Sequence, residues 1–149
     1  MIQHVWSVVC QSASFDTQTN SVSLFNTLEN LVVFGTPSKD TPFVLSCEIV
    51  SLWARKKEDV PCSGQMRAYI DNTEAGPSHV ISLEIDLTRT PFHRTRITIG
   101  ALPMVSTGRF EFHIEYRLAG KETWQPAAEL PFIVASQNLE NTLPASRLD

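Results

Sequence analysis

From Gly108 to Leu118 the chain alternates without a break. Phe110, Phe112, Ile114, Tyr116 and Leu118 fall on one side; Arg109, Glu111, His113, Glu115 and Arg117 fall on the other. Successive side chains of an extended strand point to opposite faces, whereas a helix would scatter both sets around its circumference. The segment therefore reads as a strand with one face on a core and one in water. The same period recurs at Ile81, Leu83, Ile85 and Leu87 against Ser82, Glu84, Asp86 and Thr88, and at Met66, Ala68 and Ile70 against Gln65, Arg67, Tyr69 and Asp71. Phe43, Leu45, Cys47 and Ile49 form a further set, and Val44 and Val50 on the opposite face predict a strand covered on both sides. Ile97 and Ile99 continue the odd-numbered face of a strand that begins near Phe92.

Turn-forming residues separate these runs: Asp16–Asn20, Gly35–Asp40, Asn72–Pro77, Thr88–Pro91 and Ala119–Glu122. Thr88–Pro91 and Ala119–Glu122 are read as hairpin turns. Pro126 and Pro131 cannot donate to a ladder, so the last segment, Trp124–Val134, is expected at an edge or as an interrupted strand. Leu24, Leu28 and Leu31 have helical spacing, yet Val22 and Val32-Val33-Phe34 favour extended structure. The reading adopted is two strands with a kink near Thr27. Arg55–Asp59 reads as a solvated loop. Strands at intervals of about eight to twelve residues predict an all-β fold, an antiparallel β-sandwich of about seven to nine strands. Trp6, Trp53, Phe112 and Tyr116 are expected in its core.

The chain has 149 residues, enough for one self-sufficient core. A single domain over 1–135 is expected, followed by a polar tail over 136–149. In the tail, Leu139 and Leu143 are the candidate docking contacts, on this domain or on a second chain. Twelve Lys and Arg against sixteen Asp and Glu give a net charge of −4, which lacks the electrostatic footprint of a nucleic-acid binder. No apolar run approaches the ~20 residues that span a bilayer, and no basic stretch opens the chain as a signal peptide would. These features predict a cytoplasmic protein. Cys10, Cys47 and Cys62 are an odd set without a C-x-x-C pair, read as three free thiols, with a Cys10–Cys47 bridge left open. Cys62 follows Pro61 in an expected loop near Lys56, Lys57 and Arg67, and is expected to be the most exposed.

Motifs of catalysis are missing: no G-x-S-x-G elbow, no Walker A, no GxGxxG. No cofactor is expected. Glu111, His113 and Glu115 share a strand face with neighbours ~7 Å apart, a candidate carboxylate–histidine set for Zn²⁺ or Mn²⁺. Alternating charge on a solvated face is the simpler account of them. Arg94 and Arg96 are expected to pair with Glu84 and Asp86 across the Thr88–Pro91 hairpin. Arg67, Tyr69 and Trp124 are candidate interface residues, because surface Arg and aromatic side chains are the usual material of protein interfaces.

Two resemblances add to this. Asp16-x-x-Thr19-x-x-Val22-Ser23-Leu24-Phe25-Asn26-x-x-Glu29-x-Leu31 resembles the opening of a family of small bacterial and phage proteins of unknown function. Gly108-Arg-Phe-Glu-Phe and Leu130-Pro-Phe-Ile-Val resemble the closing strands of immunoglobulin-like sandwiches, which implies an immunoglobulin-like or related Greek-key topology. Neither carries catalytic residues to this chain. The function expected is a non-enzymatic protein-binding or assembly module that docks on a protein partner or self-associates. The alternative is a small-ligand or metal-binding protein using the outer face of the Gly108–Leu118 strand.

Overall fold

A computed structural model describes residues 1–56, 60–72 and 76–137. Nine strands follow one another: β1 (Ile2–Phe15), β2 (Val22–Thr27), β3 (Asn30–Phe34), β4 (Phe43–Arg55), β5 (Cys62–Asn72), β6 (Gly76–Leu87), β7 (Phe92–Met104), β8 (Gly108–Leu118) and β9 (Gln125–Gln137). They form a four-stranded sheet, β2-β1-β4-β7, and a five-stranded sheet, β3-β9-β8-β5-β6. This is the expected β-sandwich. The period-two faces explain its core: Ile49, Trp53, Met66, Ile85, Leu87, Ile97, Phe112, Ile114, Phe132 and Val134 meet between the sheets. Val33 and Leu31 seal one corner.

Several local expectations are overturned. Leu28 and Glu29 are more than a kink, because β2 belongs to one sheet and β3 to the other. β3 pairs with β9 in parallel, the one exception to antiparallel pairing among the described strands. Thr88–Pro91 does not close a hairpin; it carries the chain from β6 to β7, on different sheets. β9 is interior between β3 and β8, yet its pairing to β3 begins only at Ile133. Pro126 and Pro131 precede that point, where β9 has a ladder on one side only, so their missing N–H groups break nothing. Cys62 begins β5 instead of lying in a loop, although it is the least buried of the three cysteines. Trp6 is half-buried and lies outside the core, because a bulge between His4 and Trp6 turns it outward. Of the Arg55–Asp59 run, Lys57 to Asp59 lie outside the described residues, as do the tail residues Leu139 and Leu143.

β4 is covered on both faces only in part. Val44 is exposed, whereas Cys47, Ile49 and Trp53 face the core, and Glu48 and Val50 on the opposite face are also buried. The cover for that outer face comes from the chain's own N-terminal hairpin. β1 pairs with β4 as far as Cys10, then with β2 alone. Beyond Cys10 the hairpin bends over the four-stranded sheet. The Ala13 N–H donates to Glu48 Oε2 at 2.6 Å, and Arg94 donates to the Asn20 carbonyl at 3.3 Å. The Phe15 ring lies 5.5 and 5.3 Å from the guanidinium carbons of Arg94 and Arg96. Arg96 bonds Glu48 Oε1 through both Nε and Nη2, at 3.1 and 2.6 Å. Arg96 thus pairs with Glu48, not with Glu84 or Asp86, because β7 lies beside β4. Cys10 and Cys47 are free; Cys10 sits opposite Glu48 on the outer face while Cys47 faces the core.

Hydrogen bonds from Arg96 and the Ala13 amide hold the Glu48 carboxyl below its ordinary value. A depressed carboxylate contributes stability that is complete above the ordinary range, about pH 4.3, and is lost as pH falls through the lowered value. Chemical denaturation across that range should therefore show a steeper acid loss for the wild type than for Glu48→Gln. Gly64 makes a second demand. A Cβ there would overlap the Arg117 carbonyl oxygen and the Ile2 side chain from the opposite sheet. Gly64→Ala should lower the unfolding free energy by about 1–3 kcal/mol, read from urea curves.

Candidate site on the outer face of the five-stranded sheet

With the hairpin over one sheet, the outer face of the other is the broad surface that the described residues leave open. Its chemistry follows from register. β5 and β8 pair so that Gln65 lies opposite Arg117, Arg67 opposite Glu115, Tyr69 opposite His113 and Asp71 opposite Glu111. Their neighbours Met66, Ala68, Ile70, Phe112 and Ile114 fill the core, so all four pairs face outward. The candidate interface residues and the candidate metal set, which lie on separate strands of the sequence, are thereby one site.

Trp124 joins it from the end of the β8–β9 turn. Its ring is flanked by Arg67 and Arg117, with the guanidinium carbons 4.4 and 4.5 Å from the ring. Each such contact at a half-exposed site is worth roughly 0.5–1 kcal/mol. Arg67 Nε donates to Glu115 Oε2 at 2.5 Å, and the Tyr69 hydroxyl donates to Oε1 of the same carboxylate at 3.3 Å. Arg117 donates from Nε and Nη2 to Gln65 Oε1 at 3.1 and 2.7 Å, and Gln65 Nε2 donates to Glu84 at 2.8 Å. The Tyr69 and His113 rings stack at 5.2 Å and 10°. Desolvation, reinforced by the Glu115 charge, raises the Tyr69 phenol above its ordinary value.

Glu111, His113 and Glu115 share the face but do not converge. Glu115 is turned toward Arg67 and Tyr69. His113 Nε2 stands 3.7 Å from Glu111 and 3.9 Å from Asp71. Among the described residues no group of three or more His, Cys, Asp or Glu side chains is arranged to hold a metal ion. Where β5, β6 and the β8–β9 turn meet, a shallow depression of about 530 Å³ is bordered by Gln65, Glu84, Arg117, Lys121 and Glu122.

Gln65 and Glu84 were legible only as members of a polar face; nothing in the sequence aligns β5 with β8 so as to set Gln65 against Arg117. A second polar chain was also missed. His4 Nε2, Ser7 Oγ and Ser51 Oγ are linked at 2.7 Å each, with the His4 ring edge-on to Trp53 at 5.1 Å. Ser51 is fully buried, so these groups satisfy one another inside the sandwich. Burial lowers the His4 pKa, which keeps the ring neutral.

Among the described residues no helix is long and apolar enough to cross a membrane. Compared with models of known protein families and with curated proteins, the chain matches none.

Because the site lies outside the core, its residues should be separable from stability. Arg67→Ala should cost about 1–2 kcal/mol of unfolding free energy, the loss of one half-buried ion pair and of the contact with the Trp124 ring, and leave the protein folded. A urea titration of this variant beside Gly64→Ala makes the comparison.

Proposed function

We propose that this chain is a non-enzymatic protein-binding or assembly module whose docking surface is the outer face of β5, β8 and the start of β9. The observation that carries the reading is the Arg67–Trp124–Arg117 stack beside the Tyr69–His113 stack. Arginine, tryptophan and tyrosine are the side chains that most often dominate binding energy at protein interfaces. Here their geometry is fixed in advance by bonds to Glu115 and Gln65, so little side-chain freedom is left to lose on binding. The asymmetry of the sandwich supports the same face, since the other sheet is occupied by the chain's own hairpin. The mixed charges, Arg67 and Arg117 beside Glu115, Glu84, Glu111 and Asp71, suit a protein surface of matching polarity.

We also read the sandwich as immunoglobulin-like. β6-β5-β8-β9 follows the order C′-C-F-G, and β1-β4-β7 follows A-B-E, with β8 and β9 as the closing pair. The docking face is then the outer side of the sheet that carries the closing strands.

The test compares wild type with Trp124→Ala in two measurements. Light scattering over a concentration series reports self-association, and affinity capture from extract of the native cells reports other partners. The expected result is a complex, of either kind, that is present with wild type and weakened at least about tenfold by Trp124→Ala, while the variant melts within a few degrees of wild type. Complexes that survive Trp124→Ala and Arg67→Glu unchanged would move the docking surface elsewhere.

A further inference from the structure

The hairpin over the four-stranded sheet has the build of a strap. Between Cys10 and Val33 no residue belongs to the buried set, although this stretch includes all of β2. Its β2 strand pairs with β1 alone. An isolated two-stranded hairpin is marginally stable in water, so what holds this one is its contact with the sheet beneath. The polar part of that contact is small: the Ala13 N–H to Glu48, the Asn20 carbonyl to Arg94, and Phe15 against Arg94 and Arg96. Closure also has a cost: among the described residues the Arg94 Nε is buried with no hydrogen-bond partner while Nη2 of the same guanidinium is turned to the Asn20 carbonyl. The base of the strap is defined on both strands. Cys10 pairs with Thr27, and Asn26 beside it holds φ at 53°, a left-handed conformation. Asn26 Nδ2 donates to Gln11 Oε1 at 2.6 Å, which ties the two strands together just beyond the bend.

We propose that residues 11–26 open as one unit, pivoting between Cys10 and Gln11 on one strand and at Asn26 on the other, while the sandwich stays folded. Opening releases the Glu48 carboxylate from the Ala13 N–H and exposes with it Cys10 and Val50 on the same outer face, all three of them buried while the strap is closed. The proposal is independent of the docking face, which lies on the other sheet. It differs from ordinary fraying at a terminus because the segment is internal, with the first half of β1 anchored to β4.

The three cysteines provide the assay. Cys62 is half-buried, Cys10 lies under the strap and Cys47 lies in the core. Alkylation of the native protein would be followed for each cysteine-containing peptide by mass spectrometry, without urea and in urea below the unfolding transition. The expected result is Cys10 labelling at least about a hundredfold faster than Cys47, with little urea dependence for Cys10 and a steep one for Cys47. Phe15→Ala removes contacts made only in the closed form and should raise the Cys10 rate about tenfold. A common rate and a common urea dependence for Cys10 and Cys47 in the wild type would mean that the strap opens only with global unfolding, and the proposal falls. A Cys10 rate unmoved in a folded Phe15→Ala protein would overturn it as well. Should that variant not fold, hydrogen exchange on the wild type decides: residues 11–26 must exchange as a block ahead of β4.

Discussion

β4 runs through the middle of the four-stranded sheet with β1 on one side and β7 on the other, and it places large side chains on both faces. Its inner face fills the core with Ile49 and Trp53. Its outer face carries Val50 and the carboxylate of Glu48, a pairing of groups that needs apolar cover and charge compensation in the same place. Arg96 supplies the charge and the hairpin supplies the cover and an N–H donor. Removing water from a carboxylate is costly unless every lone pair finds a partner. Where the first hairpin goes, and therefore which outer face of the molecule is left free, follows from that requirement.

The free face has its own logic. Its polar side chains do not stand in water singly but are knit across β6, β5, β8 and the β8–β9 turn, from Glu84 through Gln65 and Arg117 to Trp124, then through Arg67 and Glu115 to Tyr69 and His113. Each contact is weak by itself. Together they hold bulky side chains in a single arrangement, which is the property a docking surface needs and a merely solvated face does not.

Strands with one face in water announced themselves, as the clean alternation in β5, β6 and β8 shows. The partnership of those strands did not. Thr88–Pro91 looks like a hairpin turn because turn chemistry is local, while the decision to change sheets depends on which edge β7 can join. Parallel pairing of β3 with β9 leaves no sequence mark at all. Val50 was rightly expected to be covered, but Val44 in the same strand was not distinguishable from it, since the hairpin that shields one and not the other lies about thirty residues upstream. Likewise Arg67, Tyr69, Glu111, His113, Glu115 and Trp124 could be named as surface chemistry. Their convergence waited on register.

The parallel β3–β9 pair has a consequence for how the chain is made. Asn30 and Ile133, its first partners, are separated by roughly a hundred residues, and the loop between them must close before their contact is gained. Val33, part of the core, therefore waits for β9 to leave the ribosome. Until then Val32 and Val33 sit on an unpaired, uncharged edge, the kind of surface that associates with other nascent chains. The interval between the making of β3 and the arrival of β9 is the one in which this edge stands open, and the last residues of β9 act as the clasp that closes it.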